Sequence, residues 1–383
     1  MIVPGFTSTG SKRPEALFGA TDGVPRLMTR SKGYRLWDSN NQEYIDMAMA
    51  LGTVALGYAH PAVVAAVTEA ARNGSVGSLA PRMEQEVAEQ LAAVMPGTEC
   101  VRFFKTGAEA VSAAVRIARV VTGREHVVTC GYHGWLDWCQ DQPGVPQGVK
   151  RLRTDTAHNA SDLLARAIDS TNPAAVVLEP VVDGPPDPTW LDTARRRATQ
   201  SGAILIFDEI KTAFRIAVGG VSEKYGVRPD LVVVGKALGN GFPIAAVCGP
   251  QSVMEAFTRT WVSSTLATEH VSLAAASAVL DVFANEDVIG HIGRVGGMFW
   301  NGLEQLVRSR PGVFSAARGV PEMCYTQFVS PAASELVAGG AAQRGVLFKR
   351  SAYNFVSLAH TDEVIDHVLR ILDEVAGEVQ GKC

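Results

Sequence analysis

The chain has 383 residues, enough for one large domain or two modest ones. Lys plus Arg total 35 and Asp plus Glu 39, a formal net charge of −4, so there is no basic footprint for nucleic acid or an acidic membrane surface. Hydrophobic residues at 47% and charged residues at 19% exclude a disordered composition, and no apolar run is long enough for a membrane span. The start, MIVPGFTSTGSKRP, lacks an apolar signal core. The cysteines Cys100, Cys130, Cys139, Cys248, Cys324 and Cys383 include no close Cys-x-x-Cys pair, and a chain of this length does not need disulfide staples. The expectation is a reduced, soluble, cytoplasmic protein.

Residues 34–46, YRLWDSNNQEYID, read as two short strands about a turn at Asn40-Asn41. A helix begins after His60-Pro61, where proline fits the first turn, and a second covers Arg82–Val94. The period then switches repeatedly. VRFF at 101–104 is a strand, 108–123 a long helix, and HVVT at 126–129 a strand again. A helix near 161–169, the strand AAVVLE at 174–179, a helix near 189–200 and the strand AILIFDE at 203–209 follow. LVVVG at 231–235 and IAAVCG at 244–249 are the next strands. Short apolar strands interleaved with helices predict an α/β domain with a largely parallel sheet. After about residue 271 come an Ala-rich helix, a helix near 288–309, short strands near 322–328 and 353–358, and a final amphipathic helix over 361–377. The expected division is 1–50 as an N-terminal segment of the small lobe and substrate entrance, 51–270 as the large domain and 271–383 as the C-terminal small domain.

Three candidate sites stand at predicted strand ends, where open α/β sheets bind ligands. Lys105-Thr106-Gly107-Ala108-Glu109 joins a strand to a helix. Small residues there bring backbone N–H groups to an anion at the helix N-terminus, and Thr106 adds a hydroxyl; the bland alternative is an ordinary turn. Asp208 and Glu209 end a buried strand. Adjacent strand side chains diverge, so one acid faces a cleft while the other holds structure. An Asp there suits a protonated pyridine nitrogen, and equally a helix cap; no His-rich companion supports a metal. Lys236 follows LVVVG and precedes a glycine-rich turn. Most lysines stay at the surface, and one in this context forms a Schiff base when its pKa is lowered. Its alternative role is a phosphate contact. Gly131-Tyr132-His133-Gly134-Trp135, after another strand, offers aromatic faces to a flat ligand, or simply packs into the core.

The ordered set YIDMAMALGTVALGYAHP, RFFKTGAEAVSAAVRIAR, GYHGW, VVLEPV, LIFDEIKTAFR, VRPDLVVVGKALGNGFP and FVSLAH resembles the class III, fold-type I, pyridoxal-phosphate (PLP)-dependent aminotransferases, from about Leu36 to Leu372. Within them it is most similar to the glutamate-1-semialdehyde 2,1-aminomutase subgroup. The resemblance implies an α/β fold-type I transferase, with a large domain of mostly parallel sheet and a smaller α+β lobe from both termini. It implies PLP as cofactor and pyridoxamine phosphate as its intermediate form. By resemblance Lys236 is the Schiff-base lysine and proton shuttle, and Asp208 pairs with the pyridine N–H. Gly107 and Ala108 supply phosphate-binding backbone beside Thr106. Tyr132 stacks on the ring and His133 supports that wall. Glu179 occupies the family's glutamate near the cofactor, and Glu209 organises the phenolic side. Thr265, in SSTLATEH, resembles the threonine that reaches the partner subunit's phosphate, which implies a homodimer.

The sequence also departs from the subgroup. PGFTSTGSKRP replaces its early segment, so Lys12 or Arg13 stands in for the substrate-carboxylate arginine. Lys105 sits where a small polar residue is usual. Thr268-Glu269-His270 replaces a Gly-Asn-Pro. Residues 349–355 shorten a stretch that carries an acid, leaving Arg350 or Asn354 near the substrate. These changes point away from haem-precursor synthesis. The leading expectation is an aminotransferase of specialised metabolism that moves an amino group from a small donor to an aldehyde or keto acceptor. The alternative is intramolecular transfer of the aminomutase kind.

Overall fold

A computed structural model describes residues 2–380; Cys383 and the last residues of the expected 271–383 segment lie outside them. Contacts divide the chain into two units: the residues up to His60 together with those from Gly290 onward, and Pro61–Ile289. Helix His270–Asn285 therefore falls in the larger unit, because it packs on helices Pro61–Arg72 and Arg82–Val94. Residues 51–60 fall in the smaller unit. There Gly33 and Tyr58 exchange backbone hydrogen bonds of 2.8 and 2.7 Å, and Leu358 N–H donates to Ala55 at 2.8 Å.

The larger unit is built on a seven-stranded sheet in the order Cys100–Phe104, Ala245–Gly249, Leu231–Val234, Ile204–Asp208, Ala175–Leu178, Val127–Cys130, Arg153–Asp155. Ala245–Gly249 runs antiparallel to both neighbours, and the other described pairings are parallel. Every residue of the strands Val127–Cys130, Ala175–Leu178, Ile204–Asp208 and Leu231–Val234 is buried. That is why each reads as an unbroken apolar run: crossover helices cover both faces of a parallel sheet.

Helix Gly107–Thr122 buries Ala110, Val111, Ala114, Ile117 and Ala118 against this sheet. Its start is fixed by a reciprocal cap. Glu109 N–H donates to Thr106 Oγ1 at 3.2 Å, and Thr106 N–H donates to Glu109 Oε2 at 3.0 Å. Gly123 ends it in the left-handed region.

The smaller unit holds two sheets. One takes Met28–Lys32, Arg35–Asp38, Glu43–Asp46 and Val346–Leu347; the other takes Phe314–Val320, Met323–Phe328 and Asn354–Phe355. Helix Pro331–Gln343 packs against Asp362–Gln380, which buries Ile365, Val368, Leu372 and Val375 along one face. No described helix is long and apolar enough to cross a membrane.

Candidate active site

Strand register alone brings the candidate residues of the larger unit together. Cys130 is level with Leu178, Leu178 with Phe207, and Asp208 with Val233. Tyr132, Glu179, Asp208 and Lys236 therefore leave the carboxyl ends of four neighbouring parallel strands within a few residues of one another. Open α/β sheets carry their ligands at that edge.

Asp208 is buried, and its Oδ2 lies 2.8 Å from His133 Nδ1. His133 is buried too and stacks on Trp138, with ring centroids 6.1 Å apart. One lobe of the carboxylate is thus oriented by the imidazole, and Ile210 N–H donates to the other oxygen at 3.3 Å. A carboxylate has about four lone-pair positions, so this leaves acceptor capacity for a ligand N–H. Glu179 is buried beside it. Its Oε1 lies 2.6 Å from Lys211 Nζ, and its Oε2 accepts Tyr132 N–H at 3.0 Å. Lys211 is a site residue that sequence reasoning missed, although it stands three positions beyond Asp208 in the same strand-end segment.

Lys236 opens a short 3-10 turn, Lys236–Gly239, and itself has φ 43°, a left-handed conformation that a side-chain-bearing residue adopts at a cost of about 1–3 kcal/mol. Its pKa falls to about 8. Desolvation is the main cause, with the Lys211 cation adding to it; Glu179 and Asp208 pull the other way. At pH 7 about one such amine in ten is neutral, roughly three-hundredfold more than for an ordinary lysine.

The anion turn and the aromatic segment meet. With Thr106 capping Glu109, helix geometry leaves the N–H groups of Gly107 and Ala108 without intrahelical partners. Gly134 has φ +107°, and a Cβ there would lie 2.6 Å from Ala108 Cβ; only glycine lets the Gly131–Trp135 segment approach this closely. Gly131 likewise has φ +102°, and a Cβ there would lie 2.4 Å from Glu179 Cβ. Tyr132 is 66% exposed and presents its ring at the surface of the site.

Two expected residues stand apart. Glu209 is fully buried, and its carboxylate is occupied by the Thr212 hydroxyl, Val221 N–H at 3.0 Å, and Ser222 N–H and Oγ at 2.9 and 3.1 Å. It braces the start of helix Gly220–Tyr225, the structural member of the acid pair. Thr265 lies exposed in a turn.

In the smaller unit a cavity of about 430 Å³ is lined by Lys12, Arg26 and Lys349 among apolar side chains such as Phe6, Leu17 and Leu51. Its one acid, Asp46, is buried and already accepts Tyr58 O–H at 2.6 Å and the N–H groups of Ala48 and Met49 at 2.7 and 3.2 Å. Lys12 thus lines a cavity, whereas the Arg13 guanidinium covers Gly5, 2.6 Å from where a Cβ would sit. Arg350 and Asn354, expected near the substrate, have structural partners: Arg350 donates to Ser334 Oγ and Glu15 O at 3.2 and 2.9 Å, and Asn354 closes the loop onto Lys349 N–H and C=O at 2.7 and 3.1 Å.

Residues 19–375 match the class-III aminotransferases. The chain belongs to this family. Among its curated relatives, glutamate-1-semialdehyde 2,1-aminomutase of Gemmatimonas aurantiaca is 33% identical, the alignment covering 96% of this chain and 93% of that one. The Symbiobacterium thermophilum protein of the same name is 31% identical over 94% and 92% of the two chains. Among solved structures, a β-phenylalanine aminotransferase from Variovorax paradoxus superposes with a TM-score of 0.88 at 25% identity, covering 99% of this chain and 92% of that one. FumI of Sphingopyxis sp. MTA144 shares the fold, with a TM-score of 0.92 at 24% identity over 99% and 94% of the two chains.

This class-III chain is a fold-type I enzyme that transfers amino groups through a lysine Schiff base with PLP. Its residues fit that cofactor: a first-turn pair of N–H donors for a phosphate, an oriented carboxylate for a ring nitrogen, an exposed aromatic face, and a lysine whose amine is partly neutral near pH 7.

Proposed function

We propose that this enzyme moves an amino group between two carbons of one substrate, as the name of its curated relatives describes, with Lys236 as the reacting lysine. The observation that carries the assignment of residues is the convergence of a lowered-pKa Lys236 with the His133-oriented Asp208 at one sheet edge. Full-length similarity to aminomutases supports the intramolecular direction.

Bound PLP supplies an aldehyde carbon that takes up amines and a ring that delocalises the charge left on a substrate carbon. Gly107 and Ala108 N–H groups hold its phosphate, with Thr106 fixing their helix start. Asp208 holds the proton on its ring nitrogen, and His133 keeps that carboxylate in place. Tyr132 covers the ring face. Lys236 Nζ would carry a proton between the substrate carbon and the carbon of the cofactor's aldehyde group, the shift that moving an amino group requires. Its lowered pKa keeps enough neutral amine available for that base role. Glu179, neutralised by Lys211, fixes the Tyr132 backbone and sets the charge beside Lys236.

A second reading is an aminotransferase that releases an oxo product and needs a separate acceptor. The likeness to the β-phenylalanine aminotransferase of Variovorax paradoxus, over 99% of this chain at 25% identity, supports it. The test is incubation of PLP-loaded enzyme with a panel of amino compounds and no acceptor, followed by mass spectrometry. An isomer of the added compound supports the mutase. A released oxo compound with the cofactor left as pyridoxamine phosphate supports the aminotransferase and contradicts the first reading.

The functional assembly in this reading is a homodimer in which Thr265 reaches the partner's phosphate. Trp261 and Leu266, which flank it, are 84% and 52% exposed and suit a covered surface. We also place the enzyme in the cytoplasm, which the free state of the five described cysteines supports.

A further inference from the structure

Lys105 and Glu269 are each other's partner. Lys105 Nζ lies 2.8 Å from Glu269 Oε1, across 164 residues of sequence, and the two side chains are only 14% and 13% exposed. The same carboxylate caps helix His270–Asn285: Oε1 accepts Ser272 N–H at 2.9 Å and Oε2 accepts Val271 N–H at 2.8 Å. On the other side, Lys105 directly precedes Thr106, and its own N–H donates to Glu109 Oε2 at 3.2 Å, inside the cap that starts helix Gly107–Thr122.

The far end of the intervening segment is tied down as well. Arg102 Nη2 donates to Val262 O at 2.8 Å, and Arg116 Nη1 donates to Trp261 O at 3.0 Å. Residues 261–269 are thus fastened at both ends to the strand and helix that flank the anion turn. Burial opposes the Glu269 charge, yet hydrogen bonds from Lys105 and Ser272 hold its carboxyl below the usual range. Removing either partner leaves a largely buried ion alone, which costs more than the pair contributes.

We propose that Lys105 and Glu269 are positioning residues for the cofactor's phosphate. Their ion pair locks the anion turn to the 261–269 segment, so that the N–H groups of Gly107 and Ala108 keep the direction an anion needs. The pair is neutral overall, so it contributes geometry rather than charge to the phosphate site.

The test compares binding of PLP and of pyridoxal, which lacks the phosphate, to the cofactor-free protein, followed by ligand absorbance. Lys105→Met and Glu269→Gln should each weaken PLP about tenfold and pyridoxal less than about twofold, and Lys105→Arg should keep most of the preference for PLP. Glu269→Gln retains an oxygen to cap the helix, so it separates the ion pair from the helix start. Equal weakening of both ligands in Glu269→Gln, or unchanged PLP binding, would overturn the proposal. A wild-type protein that binds pyridoxal and PLP equally would also overturn it. One that binds neither would overturn the cofactor assignment, and this role with it.

Discussion

His133 Nδ1 and Asp208 Oδ2 stand 2.8 Å apart, both buried, at the ends of strands two positions apart in the sheet. The imidazole turns a carboxylate that could rotate into one with a fixed direction. Asn at 208 would keep the shape and lose the charge that holds a proton on the ring nitrogen. Asp208→Asn should lower kcat by about 10²–10⁴-fold while the protein stays folded. Steady-state kinetics with matched melting curves check this.

The neutral fraction of Lys236 sets a pH dependence. Its pKa is lowered to about 8, so the reactive amine is mostly present above pH 8 and falls about tenfold per pH unit below it. The rate at which cofactor-free protein captures PLP should rise with pH, reach half its maximum near pH 8 and level off about one pH unit above that. Lys211→Met removes a neighbouring cation and leaves Glu179 unpaired. Both changes favour a charged Lys236, so the profile should move to higher pH, slowing capture at pH 7 by roughly threefold.

Gly134→Ala tests the close approach of the aromatic segment to the anion turn. The left-handed backbone and the 2.6 Å contact with Ala108 Cβ both oppose a side chain. The expected cost is about 1–3 kcal/mol of stability with weaker PLP binding, read from melting temperature and titration. Gly144→Ala, also at positive φ but with open space around the new Cβ, should bind PLP normally.

Glu209→Ala should destabilise the protein by roughly 2–4 kcal/mol, because it strands the N–H groups of Val221 and Ser222 inside the core. Denaturant unfolding measures it. Glu209→Gln, which keeps an acceptor, should recover a good part of the loss.

The large sheet was legible because its strands are buried on both faces and therefore uniformly apolar. The strand Phe314–Val320 and the helix Pro331–Gln343 were not. The first alternates poorly, and the second is an Ala/Gly-rich segment buried on most sides, with little contrast between faces. Arg153–Asp155 is too short to stand out. Lys236 and Asp208 could be read from their place after apolar runs. The left-handed backbone of Met49, Ala50 and Leu51 could not, since none is glycine. Lys105 and Glu269 were visible singly as departures, but a pairing across 164 residues exists only in the fold.

Lys236, and not its neighbour Lys211, is the lysine proposed to bond to the cofactor. Borohydride reduction of the PLP-loaded enzyme, followed by proteolysis and mass spectrometry, fixes the cofactor to whichever lysine holds it. A pyridoxyl group on Lys236, and none in Lys236→Ala, is the expected result. A label on Lys211, or one that persists in Lys236→Ala, would contradict it.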